Sequence, residues 1–350
     1  DEVVTVAYGK RKKGTLAGSV SAVDGKALAD IPVASIDQAL QGKAPGLTVI
    51  ANSGEPSDVA SFSIRGLNSI NSGTTPLFIL DGVPISASDF NAIAPGDIES
   101  VSVLKDASST SIYGARAANG VVVITSKRGV EMDKVRVNFR AQAGLSSLAR
   151  DNWTLMNTSE RIAFEKEVGL DAGQNYNKLS LTAVNWRDIV FDDAWMQPYD
   201  LQVSHATDKL NYYVSANFFD QDGITAGSSF RRYAARVNVD YQAGRRIKMG
   251  TNTMLAYEEA EQADQGAYTT YSPISAMRFM LPYWNPYDKK GGIIPSDKWS
   301  GTGINPMDYM AQNPQLSKKY KAISTLYAEI TLAKGLTWRT QLGVDFTHGT

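Results

Sequence analysis

Asp192-Asp193 and Glu258-Glu259 are adjacent carboxylate pairs, the arrangement in which acid–base catalysis would first be sought. Both fall at expected strand or loop ends, where such pairs read more simply as solvated surface. The two histidines, His205 and His348, lie on separate expected strands and so offer no ready base or metal site. The chain has no phosphate-binding glycine loop of the P-loop kind and no Gly-x-Ser-x-Gly elbow, and with no cysteine it lacks thiol catalysis, disulfides and cysteine-ligated zinc. An enzyme is therefore not expected, nor a catalytic residue, cofactor or metal. Side chains suited to binding are easier to find. The segment 260–318 carries Tyr268, Tyr271, Tyr283, Trp284, Tyr287, Trp299 and Tyr309, rings that stack on sugars or peptide side chains, pack a loop, or meet a partner protein. Tyr283, Trp284, Tyr287 and Trp299 are the candidates for ligand or partner contact.

The partners are bounded by charge. Thirty-five basic and thirty-six acidic side chains among 350 residues give a net charge of −1, without the basic excess of a nucleic-acid binder. No stretch approaches the roughly 18 apolar residues of a membrane helix, and nothing at Asp1 resembles a signal peptide. Neither observation bears on a transmembrane β-strand, which spans with about 9–11 residues of alternating polarity.

Three regions must position these side chains. Residues 1–20 open with a short strand-like segment, Asp1 to Gly9, followed by Lys10-Arg11-Lys12-Lys13 and a flexible Gly/Ser-containing tether. This suits an extended peptide captured by strand addition, or alternatively the first strand of a globular domain. Residues 21–129 mix helix and strand signals. Ser35 with Gln38 forms a capping-box pattern, and Leu47–Ile50 reads as a strand. Asp81-Gly82 marks a tight hairpin between Leu77–Leu80 and Val83–Ile85, Asp106 caps a short helix through Tyr113, and 98–104 and 120–125 read as strands. Arg65, Asp81 and Arg116 are the charged residues to examine first in this α+β region; structural contacts account for the arginines more simply than ligand binding, and a turn for Asp81.

After Gly129 the period becomes two. Val135, Val137, Phe139, Ala141 and Ala143 share one face while Arg136, Asn138, Arg140 and Gln142 share the other, and the same division recurs in 232–242 and 336–346. Seven strands are expected, at 134–147, 198–207, 209–220, 230–243, 246–259, 319–334 and 336–347. Their connections alternate short and long, the longest being 148–197 and 260–318. In an antiparallel meander this puts tight turns at one end and long loops at the other, the asymmetry of an outer-membrane barrel. Arg136, Arg140, Arg236 and Arg339 all fall on the polar face, away from where lipid would be. Tyr199, Tyr241, Tyr257 and Tyr320 sit where aromatic girdles would form. Seven strands do not close a barrel around a domain, so more chain is expected after Thr350. A secreted or surface β-rich binding or adhesion protein without transport activity explains the alternation too, but not the sorting of loop lengths.

Several stretches resemble the SusC/RagA-like TonB-dependent transporters of Bacteroidetes. Asp1-Glu2-Val3-Val4-Thr5-Val6-Ala7-Tyr8 resembles the TonB box of that family. Ala39 to Leu47, Ile64-Arg65-Gly66 and Pro76 to Pro84 resemble its plug, and the most specific match runs from Ile98 through Leu104-Lys105-Asp106-Ala107-Ser108-Ser109-Thr110 and Ile112 to Gly120, then Thr125 to Gly129. The resemblance implies an α+β plug domain at 21–129 followed by strands of a 22-stranded transmembrane antiparallel β-barrel from 130, in the outer membrane of a Gram-negative bacterium and in contact with its lipid. It further implies TonB with ExbB and ExbD as energy source, a SusD-like surface lipoprotein as lid, and an oligosaccharide or oligopeptide as imported ligand. It also allows two transporter–lipoprotein pairs to associate.

Overall fold

The computed structural model describes residues 3–6, 9–12, 20–31, 33, 35–51, 53–56, 58–64, 66, 74–106, 110–130, 134–149, 154–170, 173–264, 271–301 and 303–350, the first two segments as backbone only. Strand β1 (Val3–Val6) pairs antiparallel with β2 (Gly9–Lys12), from Val3↔Lys12 to Val6↔Gly9. Lys10, Arg11 and Lys12 of the basic segment thus fold back on the strand before them, and residues 13–19 of the expected tether lie outside the described residues.

A mixed five-stranded sheet follows, built from β3 (Val20–Asp24), β6 (Leu77–Leu80), β7 (Val83–Ile85), β8 (Ile98–Leu104) and β9 (Val121–Ser126) in the order β3-β8-β9-β6-β7. Only β6 and β9 run parallel. Val121 to Ile124 are all buried because β9 is central and apolar clusters cover both of its faces, the condition under which a strand reads as a continuous apolar run. The β6–β7 turn forms as expected: Asp81 at φ 49° and Gly82 at φ 91° are both left-handed, as a type I′ turn requires. Helices α1 (Gly25–Ala29), α2 (Ile36–Leu40) and α3 (Ala87–Ala92) and the hairpin of β4 (Leu47–Ile50) with β5 (Ser61–Ile64) complete this unit. Phe62, Phe78 and Phe90 meet at its centre with ring centroids 4.7–5.6 Å apart. Ser35 does stand at the N-cap of α2, but its hydroxyl donates to Asp37 instead of capping the helix. Asp37 is the stronger hub, since it also accepts from Gln38 N–H, Ala60 N–H and Asn91 Nδ2.

The remaining strands make one antiparallel sheet. They are β10 (Arg136–Ala141), β11 (Gly144–Ser146), β12 (Ala194–Ala206), β13 (Leu210–Asp222), β14 (Ser229–Gln242), β15 (Ile247–Gln262), β16 (Gln315–Ala333) and β17 (Leu336–Gly349), in the order β10-β12-β13-β14-β15-β16-β17 with β11 also on β12. The strand expected at 134–147 is in fact two pieces in one register. Gln142 falls opposite Pro198, which accepts its N–H at 3.1 Å but has no N–H to return, so the ladder breaks there. Connections alternate as expected: 207–209, 243–246 and 334–335 at one end, 147–193, 223–228 and 263–314 at the other.

The two faces of this sheet differ in chemistry. One packs on the α+β unit through polar and charged side chains. The other exposes Phe139, Leu201, Leu255, Leu326, Leu342, Val344 and Phe346, several more than half exposed. Toward the long-loop end, Tyr199, Phe218, Tyr233, Tyr257 and Tyr320 stand opposite one another on five successive strands with centroids 4.9–6.2 Å apart. Tyr241 lies at the short-turn end. From Tyr233 to Tyr241 is eight residues, about 27 Å along the strand at about 3.4 Å each.

Candidate functional site

The α+β unit is seated on the polar face by groups that would be costly to bury alone. Arg236, 1% exposed at mid-strand in β14, has Nη1 3.6 Å from Asp81 Oδ2 and Nε 3.8 Å from Asp97 Oδ2. At those distances the attraction is that of an ion pair without a direct hydrogen bond. The carboxylates are held by other donors: Asp81 accepts from Ser126 N–H at 3.0 Å and Ser126 Oγ at 2.6 Å, and Asp97 accepts from Tyr213 Oη at 2.9 Å and Asn217 Nδ2 at 3.1 Å. The tight turn is what aims Asp81 at the sheet, so the residue serves both as turn former and as seam contact. Asn238 Nδ2 donates to Ser126 Oγ and Lys127 O, and Gln341 Nε2 to Asp81 O.

Two further contacts flank this centre. In α3 the capping-box residue Asp89 accepts from Thr347 Oγ1 and lies 3.7 Å from Lys321 Nζ, which is 3.5 Å from Glu258 and donates to Ser88 O. Nearby, Arg232 Nη1 donates to Asn91 O at 3.1 Å. On the short-turn side the polarity reverses: Arg128 of the α+β unit meets Asp240 of β14 at 2.5 Å, and Tyr327 Oη donates to the same carboxylate. Between these charges the two bodies share one apolar core, for Ala234, Met254, Ala256 and Ile323 join the cluster of Phe62, Phe78 and Phe90. Gly343 permits the close approach of the hairpin, since a Cβ there would lie 2.9 Å from Val83 Cγ2.

At the other end the long loops form a folded cap. Trp186, Val190, Ala276, Met277, Met280 and Trp299 share a core, Trp186 Nε1 donates to Leu281 O at 3.1 Å, and Val184 N–H to Pro282 O at 2.7 Å. Glu165, buried in the helix Thr158–Glu167, accepts from Arg161 Nε at 2.7 Å, Tyr283 Oη at 2.8 Å and Tyr176 Oη at 3.1 Å. Burial pushes its carboxyl upward, but these three donors and the Arg161 charge together outweigh it and hold the carboxyl below its ordinary value. Burial and the same carboxylate push the Tyr283 hydroxyl strongly upward.

The structure distributes the sequence candidates unevenly. Asp81 is in the seam. Arg116 is exposed in the 3-10 turn Ala115–Ala117, and Arg65 lies outside the described residues. Asp1, Glu2, Ala7 and Tyr8 of the first segment also lie outside them, whereas Val3–Val6 form β1. Tyr283 and Trp299 are buried in the loop core, Trp299 Nε1 donating to Asn285 O, while Trp284 and Tyr287 are half-buried beside them. Sequence reading missed Asp89, Asp97 and Lys321 as seam residues. The signal available was three cations, Arg232, Arg236 and Lys321, inside long strands with no acidic residue adjacent in the chain. Among the described residues no cluster of three metal-ligating side chains occurs, and no helix is long and apolar enough to cross a membrane, which says nothing of strands.

Residues 12–121 match the family model described as TonB-dependent Receptor Plug Domain. The chain is 35% identical over 98% of its length to TonB-dependent receptor P3 of Formosa agariphila, and 30% identical over 92% to TonB-dependent receptor SusC of Bacteroides thetaiotaomicron. It spans about a third of the length of these relatives, 34% and 33%. Among solved structures, the RagAB peptide importer in its open-open state superposes with a TM-score of 0.90 at 32% identity, over 99% of this chain and 42% of that one. The ferric preacinetobactin receptor BauA of Acinetobacter baumannii, at 13% identity and a TM-score of 0.57 over 99% of this chain and 40% of that one, shares the fold alone.

Proposed function

Since this chain belongs to the SusC/RagA-like TonB-dependent transporters, an α+β plug followed by antiparallel barrel strands, we propose that it imports a large nutrient across the outer membrane of a Gram-negative bacterium. The observation that carries this reading is the plug, seated by buried ion pairs on the polar face of strands whose opposite face is apolar. A sheet with its wet face inward and its apolar face outward suits lipid and not water, which favours a membrane importer over a secreted β-rich binder. Ligand captured among the outer loops shifts the plug equilibrium and frees residues 1–9 for strand pairing with TonB, driven by the proton-motive force through ExbB and ExbD. Because β1 is already paired with β2, TonB would either add to the other edge of β1 or displace β2.

A SusD-like lipoprotein serves as lid over the long loops, and Tyr283, Trp284, Tyr287 and Trp299 act by shaping that surface more than by touching ligand. The cargo is an oligopeptide or an oligosaccharide; the RagAB likeness weighs toward a peptide. Arg65 and Arg116 are proposed as structural plug contacts. Deleting residues 1–9 should abolish uptake while leaving barrel assembly and surface ligand binding intact. Unchanged uptake in that variant refutes TonB coupling.

A further inference from the structure

The loop cap holds a cavity of about 960 Å³ that takes no part in the seam. Three segments wall it: the chain entering the helix Thr158–Glu167, the start of the helix Trp186–Val190 with the residues before it, and the end of the helix Pro273–Phe279 with the chain after it. Hydrogen bonds tie these segments to one another. Thr158 Oγ1 donates to Thr182 O at 2.8 Å, while Trp186 Nε1 and Val184 N–H donate to Leu281 O and Pro282 O. The cavity is therefore formed before anything enters it, as ligand pockets usually are. Its lining is one-sided in charge: Arg161, Arg187 and Arg278 stand around it, and no acidic side chain does. Glu165 meets Arg161 Nε at 2.7 Å from the loop core, and Asp188, next to Arg187, accepts from Asn185 Nδ2 at 2.8 Å, so the wall itself stays cationic.

We propose that this cavity binds a short acidic peptide, with carboxylates at the three arginines and apolar side chains on the methionines that share the wall, and that the imported cargo is drawn from such peptides. This rests on the import reading above. A guanidinium matches a carboxylate in shape as well as charge, so three of them favour acidic side chains over any neutral group. The apolar part of the wall includes Met156, Met277 and Met280. Thioether side chains adapt to partners of different shape, which suits an importer that accepts many sequences. Met156 and Phe279 are still 48% and 63% exposed, apolar surface that an entering side chain would cover. A neutral sugar would leave the arginines without a counter-charge and bring no apolar side chain to the methionines, and a basic peptide would be repelled. A rounded cavity of this volume is roughly 12 Å across, room for three or four extended residues at about 3.4 Å each.

The test is binding by the complete transporter in mild detergent, together with any lipoprotein that accompanies it, read by isothermal titration calorimetry. The probes are three capped hexapeptides in which leucine alternates with aspartate, serine or lysine, and a hexamer of galacturonic acid as an anionic sugar. The aspartate peptide should bind about tenfold tighter than the serine peptide, and the lysine peptide weaker still. Arg187→Gln with Arg278→Gln should bring the aspartate and serine peptides near parity. Heat-dependent electrophoretic mobility reports assembly, and if that pair does not assemble, Ala183→Glu, which sets an acid in the exposed part of the same wall, should abolish the preference instead. Three results overturn the acidic-peptide site: equal binding of the three peptides by the wild type, tighter binding of the sugar hexamer than of the aspartate peptide, or a preference unchanged in an assembled variant. The import reading is tested separately, for uptake that survives deletion of residues 1–9 refutes it whatever the peptides do, while loss of the acidic preference leaves TonB-dependent uptake of another cargo standing.

Discussion

Replacing Arg236 by Met removes the buried cation that two plug carboxylates share. Breaking a buried pair from one side costs about 3–5 kcal/mol, because the remaining charge stays buried. Here Asp81 and Asp97 each keep two hydrogen-bond donors, so the low end applies, about 3 kcal/mol, or about two powers of ten in the equilibrium that seats the plug. With a urea dependence of about 1–3 kcal/mol per molar for a small unit, the plug should leave its seat at a urea concentration lower by about 1–3 M. Reconstituted in planar bilayers, the Arg236→Met protein should begin to conduct at that lower concentration. Arg231→Met, which removes an exposed pair on the outward face, should shift the threshold by no more than the ~1 kcal/mol of a surface pair. Adding Asp81→Asn to Arg236→Met should restore part of the loss, since one buried charge is gone and the Ser126 hydroxyl can turn to accept from the new amide. Equal thresholds for wild type and Arg236→Met, or a double variant worse than the sum of its parts, would refute the seam as an electrostatic seat.

Position 237 should behave oppositely to its neighbour. Val237 faces outward midway between the Tyr233 and Tyr241 levels, so Val237→Arg should cost about 2–4 kcal/mol and reduce the heat-resistant assembled fraction, although Arg is native one residue earlier. In the loop cap, the depressed Glu165 carboxyl contributes stability that is present above the ordinary carboxylate pKa of about 4.3 and is lost as pH falls through its lower folded value. Hydrogen exchange of the helix Thr158–Glu167 should therefore accelerate only in acid below about pH 4, and Tyr283→Phe should accelerate it at neutral pH by removing about 1.5–3 kcal/mol of charge-assisted hydrogen bonding. Gly343→Val should crowd Val83 at a cost of about 1–3 kcal/mol in plug seating, read by the same conductance threshold and relieved by Val83→Ala.

The strands were legible because lipid and plug demand opposite chemistry of alternate residues, a constraint written into every pair of neighbours such as Arg236 and Val237. The hairpin at Asp81-Gly82 was legible for a similar reason: two left-handed residues in succession restrict the local choice. The seam was not, because it joins Asp81 to Arg236 and Asp89 to Lys321, and nothing near either aspartate in the chain specifies which strand it will meet. Ser35 looked like a helix cap, but the buried Asp37 two residues on competes for its hydroxyl. The break in the first barrel strand came from Pro198, more than fifty residues away from the gap it makes. In the 260–318 loop, aromatic content announced that rings were needed without saying whether a partner, a ligand or the loop itself would cover them; Tyr283 and Trp299 turn inward because Glu165 and Asn285 O offer their polar atoms partners there.

Because Ala234, Met254, Ala256 and Ile323 complete the apolar core around Phe62, Phe78 and Phe90, the plug borrows part of its interior from the wall it closes. Synthesis runs from the N-terminus, so the borrowing segment leaves the ribosome well before the lending one. Until strands β14–β16 exist, this surface stays uncovered and prone to sticking to other unfinished chains. Completion of the first part made therefore waits on the folding of a later part.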